Sequence, residues 1–213
     1  MRLIAALLAT LILVPPPAGA EGERAGDFDY YILSLSWSPG WCAREGDERQ
    51  ALECRSGADR GFTLHGLWPQ YDFGWPSWCH SGGRDPGRAD AALMTDIMGS
   101  LGLVRHEWRK HGTCSGLDAD AYFELSRRAY ESIALPAVLE DLDRDVTLPA
   151  SVVEDAFIEA NPDLDRNAII ITCKQGMIEE ARICLTRDLE PRPCGLDAQR
   201  DCRMRDALMP AVR

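Results

Sequence analysis

FTLHGLWPQ occupies residues 62–70 and HEWRKHGTC residues 106–114. The first stretch is short, apolar and aromatic, and Pro69 is expected to end it, so Phe62–Trp68 reads as a strand that carries His65. The second reads as a helix. With His106 as origin and about 100° per residue, Lys110 falls at about 40°, Glu107 at about 100° and His111 at about 140°. These four share one face, while Trp108, at about 200°, turns inward to pack. Fold class depends on what surrounds this strand and this helix.

Upstream, Tyr31, Leu33, Leu35 and Trp37 alternate with Ile32, Ser34, Ser36 and Ser38, the pattern of a half-buried strand. A loop with Gly and Cys follows from Pro39 to Gly61. Residues 70–87, rich in Gly, Pro and aromatics, form a second long loop. Leu93, Ile97 and Leu101 keep helical spacing in a helix that Gly102 is expected to close. The next helix spans about Asp118 to Leu135 and stops at Pro136. Another begins at Ser151, spaced from Glu154 as in a capping box, and ends before Asn161-Pro162. AIIITC (168–173) and MIEEARICL (177–185) read as strands joined by a turn at Lys174-Gln175-Gly176. Helices and strands interleave without a βαβ rhythm. The class is α+β, a single domain with a central antiparallel β-sheet packed with several helices.

The chain opens MRLIAALLATLILVPPPAGA, where one basic residue, an apolar run and an Ala18-Gly19-Ala20 site have the order of a secretory signal peptide. Its apolar part is too short for a comfortable membrane span, which takes about 20 residues. The expectation is a leader over 1–20 and one domain over 21–213, exported to the periplasm or medium. All eight cysteines lie in that domain, and an even count behind an export signal argues for four disulfides. Structural zinc is the alternative, but no Cys-x-x-Cys pair exists. Without Arg2 the domain has 22 basic and 34 acidic residues, a net charge of −12. That balance excludes a tight non-specific nucleic-acid binder, whose affinity comes from many phosphate contacts. A polyanionic substrate would need a local positive site, and a compartment of low pH would soften the conflict.

HEWRKHGTC resembles the zinc motif His-Glu-x-x-His only in its first two residues. That motif sets its histidines four apart on one face; His106 and His111 are five apart, at the two edges of theirs. A solvated ion pair of Glu107 with Lys110, and a structural histidine at each position, are the plain readings. His80 stays under the plain reading. Three histidines flanked by Glu107 and Lys110 suggest more. Two imidazoles supply an acid and a base near neutral pH, and a lysine can neutralise charge that develops on a phosphoryl group. No metal or other cofactor is required if the substrate brings its own nucleophile. RNA does, through its 2′-hydroxyl; DNA does not.

At these residues the chain resembles the ribonuclease T2 family, secreted acid endoribonucleases of α+β fold. FTLHGLWP matches the family's first active-site signature, and HEWRKHGTC matches its second except at Arg109. LSLSWSPGWC and, more loosely, the C-terminal strands extend the likeness over most of the domain. The resemblance implies His65 as general acid and His111 as general base, with Glu107 and Lys110 stabilising the pentavalent phosphate. It implies phosphate binding by His106 and base stacking by Trp68. Gln70 stands where relatives often carry an acidic base-selecting residue, so base preference stays open. It further implies the pairs Cys42–Cys54, Cys79–Cys114, Cys173–Cys202 and Cys184–Cys194. The expected protein is a monomer that acts on single-stranded RNA, not on DNA, and has no membrane attachment once the leader is removed. The competing readings are a secreted metallohydrolase using His106, His111, His80 and free cysteines, and a binding protein on the same scaffold that has lost catalysis.

Overall fold

The structure, a computed structural model, describes residues 23–213, so the leader expected over 1–20 lies outside the described residues. The chain runs β1 (Tyr30–Trp37), α1 (Ser38–Trp41), β2 (Phe62–Gln70), α2 (Arg88–Ala92), α3 (Thr95–Met98), α4 (Leu101–Lys110) and α5 (Ala119–Glu131). It continues through α6 (Ala137–Glu140), β3 (Val146–Leu148), α7 (Ala150–Ala160), β4 (Ile169–Lys174), β5 (Met177–Leu185) and β6 (Ala207–Met209). Strands β2, β1, β5 and β4 lie side by side and antiparallel. The short β3–β6 pair joins by one parallel pairing, Met177 with Leu208.

Alternation in β1 assigns its residues to two different faces. Tyr31, Leu33, Leu35 and Trp37 join Val104 and Trp108 of α4, Tyr122 and Phe123 of α5, and Val153 and Phe157 of α7 in the main core. Tyr30 and Ile32 point the other way, into a small cluster with Ile170 and the Cys184–Cys194 disulfide, which no helix residue joins. β1 is therefore buried on both faces rather than half-buried, because it is an inner strand and its second face is also covered. Chain after β5 supplies that cover, fastened at two points by Cys184–Cys194 and Cys173–Cys202. Cys42–Cys54 closes the loop after β1, so that none of the eight cysteines is a free thiol.

Several local expectations are corrected. β2 continues through Pro69 to Gln70, since it is an edge strand and proline's missing N–H goes unneeded on an open side. The helix expected from Leu93 past Leu101 is broken at Gly99, whose φ of 87° ends α3. Ser100 then caps α4 by accepting from the Leu103 N–H at 3.3 Å, so Gly102 lies inside a helix rather than closing one. Helix α5, capped by Asp118, ends at Glu131 instead of Leu135 because Asn161 takes both the N–H and the C=O of Ala134. No capping box forms at Ser151: α7 starts from Pro149, and Glu154 turns inward to Arg166 at 2.9 Å. The β4–β5 turn is as expected, with Gln175 (φ 52°) and Gly176 (φ 82°) both left-handed, as a two-residue hairpin requires.

Candidate active site

His65 leaves the sheet because β2 is bulged. Ser34 pairs with Gly66 and Leu35 with Leu64, so His65 is the extra residue between two ladder pairs. A bulge re-aims the side chain it releases. Leu64 and Leu67 stay fully buried in the main core, and Tyr122 of α5 donates to the Leu67 carbonyl at 2.8 Å, which holds β2 against the helices. His65 and Trp68 instead line a cavity of about 610 Å³.

Helix α4 forms the facing wall. Val104 and Trp108 anchor it in the core, and His106, Glu107, Lys110 and His111 all line that cavity. The face read from the sequence is thus real, but it is graded in depth: His106 is exposed and Lys110 half-buried, whereas Glu107 and His111 are buried. Glu107 makes no ion pair with Lys110. It accepts from Trp68 Nε1 at 2.7 Å and lies 3.6 Å from His65 Nε2. Only glycine at position 66 permits this, because a Cβ there would fall 2.1 Å from Glu107 Oε2 and 2.5 Å from Trp68 Nε1. The Trp68 ring stacks on His111 (5.1 Å between centroids) and meets His65 edge-on (5.2 Å). The Cys79–Cys114 disulfide and the Trp78 N–H, donating to the Lys110 carbonyl at 2.9 Å, fasten the loop after β2 to the end of α4. Trp78 thereby rests against His106. A second cavity, of about 860 Å³, shares His65 and His106 with the first.

The two inner histidines sit in opposite fields. Burial would drive the proton off His65, but the hydrogen bond that its Nδ1 donates to Glu180 at 2.5 Å and the charges of Glu180 and Glu107 outweigh it and raise its pKa. His111 has no carboxylate of its own. Burial, reinforced by Lys110, His65 and His106, takes its pKa down to about 2, and its Nδ1 is buried without a hydrogen-bond partner. Burial raises the Glu107 pKa, with His65, the Trp68 bond and Lys110 opposing. His106 is lowered, by burial first and then by Lys110.

Gln70 lines the same cavity, its Nε2 donating to the Pro69 carbonyl at 2.9 Å. The remaining wall holds exposed Phe73 and Trp75, Arg182 of β5, and Asp197 and Arg200 from the disulfide-fastened segment after β5. Lys110, Arg182 and Arg200 give this acidic chain its local positive charge. His80 is exposed and lies outside the site, its backbone N–H bonded to Glu23. With every cysteine in a disulfide, the thiolate-bound metal reading loses its sulfur ligands, and among the described residues no group of three or more His, Cys, Asp or Glu could hold a metal ion.

Glu180 and Arg182 escaped the reading of the sequence. Their signal is the alternation in β5: Ala181, Ile183 and Leu185 face the main core, so Glu180 and Arg182 must share the opposite face with Cys184. Buried glutamate on an inner strand is rare unless it is paired.

The family model described as the ribonuclease T2 family matches residues 28–194. Ribonuclease I of Escherichia coli strain K12 is 30% identical, over 86% of this chain and 86% of its own length. A ribonuclease of Aeromonas hydrophila is 47% identical over 50% of this chain, which spans about 46% of that relative. The fold is also that of RNase NT solved with 5′-AMP, at a TM-score of 0.69 and 22% identity over 87% of this chain and 99% of the other. Bulged strand, histidine-bearing helix and matched sequence coincide in one architecture, and this chain belongs to the ribonuclease T2 family.

Proposed function

We propose that this protein is an exported, monomeric endoribonuclease that cleaves single-stranded RNA without a metal, using His111 as base and His65 as acid. The observation that carries the reading is the pair of imidazoles held against one tryptophan ring in opposite electrostatic surroundings. His111 is neutral at working pH, and with Nδ1 sealed away its Nε2 lone pair takes the proton of the RNA 2′-hydroxyl. The 2′-oxygen attacks phosphorus, the bond from phosphorus to the 5′-oxygen breaks, and His65 gives its Nε2 proton to that leaving oxygen. The products are a 2′,3′-cyclic phosphate and a 5′-hydroxyl. Running the proton transfers backwards with water in place of the 5′-hydroxyl opens the ring to a 3′-phosphate.

Lys110 and Glu107 stabilise the pentavalent phosphate, both fixed before the reaction begins. His106, on the rim, helps bind the phosphate. Trp68 and Gln70 belong to the base site, where Phe73 and Trp75 add aromatic faces for an unpaired base. Two cavities meeting at His65 and His106 suit the nucleotides on either side of one scissile phosphate.

Incubation of the purified protein with single-stranded RNA in EDTA tests this. The expected products are cyclic phosphate ends that convert slowly to 3′-phosphates. Cleavage of DNA or 2′-O-methyl RNA at a comparable rate would overturn the mechanism.

A further inference from the structure

Two carboxylates flank His65, and the mechanism uses only Glu107. The other, Glu180, is 3% exposed and sits on β5, two strands away from the histidine. Neighbouring strands are about 4.8 Å apart, so the His65–Glu180 contact has to cross all of β1. It can, because β1 presents serines on that face: Ser34 lies between Gly66 and Arg182, and Ser36 between Thr63 and Glu180. The serines of the LSLS stretch floor a trough, and the bulge swings the imidazole into it.

At the far end of the trough the two carboxylate oxygens divide their work. Oε1 faces His65 Nδ1 at 2.5 Å, while Oε2 accepts from Arg182 Nε at 2.8 Å and from Arg182 Nη2 at 2.6 Å. Burial alone would favour a neutral Glu180, but the His65 hydrogen bond and the Arg182 charge reverse this and take it down to about 2. An ionised partner can only accept, so Nδ1 carries its proton in every state of the ring and the transferable proton is confined to Nε2, the nitrogen 3.6 Å from Glu107.

We propose that Glu180, braced by Arg182, is a positioning residue for His65 that fixes its tautomer and keeps the ring charged until it delivers the Nε2 proton. This rests on the reading of His65 as the general acid. After delivery the N–H electron pair stays on Nε2 and the neutral ring keeps Nδ1–H on Glu180. The charged groups facing His65 are Glu180 and Arg182 from β5 and Glu107 from α4, with His106, Lys110 and His111 of the α4 face alongside in the same cavity. Glu180 stabilises the protonated ring and Arg182 opposes it.

Opposite signs give the test, read from the alkaline limb of kcat/KM against pH on single-stranded RNA. Glu180→Gln removes the anion, and the limb should move to lower pH by about 1–3 units, the range an adjacent opposite charge commands. Glu180→Asp, which keeps the charge, should restore part of that shift. Arg182→Gln removes a cation and leaves the anion, so the limb should move to higher pH. Ring-nitrogen NMR should show Nδ1 protonated throughout in the wild-type protein and a mixture of neutral tautomers in Glu180→Gln. A purely structural ion pair would shift neither limb nor tautomer, and an unmoved limb, or one moving the same way in both variants, overturns the proposal. Should Glu180→Gln not fold, Arg182→Gln decides alone: a rise supports the proposal and any other result refutes it. Failure of the underlying reading looks different, since the wild-type protein would then not cleave RNA or His65→Ala would remain active.

Discussion

His65 and His111 touch the same Trp68 ring, yet the bulge of β2 and the end of α4 treat an imidazole in opposite ways. On the strand, the ring is 32% exposed and lies between two carboxylates, Glu107 and Glu180. On the helix, the ring is buried, one nitrogen has no partner, and the largest charge effect on it comes from a lysine. One region holds a proton and the other refuses it. Such a divergence enlarges the fraction of molecules with the acid protonated and the base neutral, which two identical imidazoles would hold to about a quarter at their common pKa.

Deleting either ring should have the largest effect. His65→Ala and His111→Ala should each lower kcat/KM on single-stranded RNA by about 10²–10⁴-fold. A substrate whose leaving group departs without protonation, such as a nucleoside 3′-aryl phosphate, should restore His65→Ala and leave His111→Ala inactive. Rescue of the wrong variant would exchange the roles.

Gly66→Ala attacks the joint between the two regions. The new methyl would displace the Glu107 carboxyl and the Trp68 indole together, and a misplacement of about 1 Å is worth on the order of 10²-fold in rate. The loss should appear in kcat with little change in melting temperature, because the displaced atoms line a cavity. A variant of normal turnover would show that the Trp68–Glu107 bond is dispensable.

In the proposed mechanism His65 works protonated, and its pKa is raised, so the alkaline limb should lie above the ordinary histidine value of about 6.5. As the proposed base His111 works neutral, and its pKa is depressed to about 2, so the acid limb should lie well below that value. The activity plateau therefore extends to the acid side, which suits a protein of net charge −11 that repels RNA less once surface carboxylates are protonated. Limbs that converge near 6.5 would mean the two surroundings are equivalent.

The same depressed pKa has a consequence for stability. Between about 2 and about 6.5 the unfolded chain binds a proton at His111 that the folded chain refuses, so acidification through that window favours unfolding. His111→Asn should lose fewer degrees of Tm than wild type between pH 7 and pH 4, at about 2–4 °C for each kcal/mol removed. An equal loss in both proteins would show that His111 is not protonated on unfolding. Smallest of all is His106→Ala: an exposed side chain on the rim should raise KM up to about fivefold and leave kcat unchanged. A fall in kcat alone would move His106 into the reacting centre.

Local chemistry was enough to read much of this molecule from its chain. Alternation revealed β1, apolar runs on either side of a turn revealed β4 and β5, and helical spacing put Glu107, Lys110 and His111 on one face, because these patterns are local properties of the backbone. The two signatures named the family for the same reason: their residues are contiguous. Ser100 and Gly99 show where such reading slips, since a cap and a left-handed glycine one residue apart outweighed the apolar spacing around them. Tertiary structure alone decided the rest. Whether an imidazole binds or refuses a proton depends on how deeply it is buried and which charges face it, and those charges come from elsewhere in the chain. Glu180 meets His65 across 115 residues and over the serines of β1, and Gly66 matters because a helix 41 residues later presses Glu107 against it. No period or motif encodes those meetings; they exist only once the sheet has paired and the helix has packed.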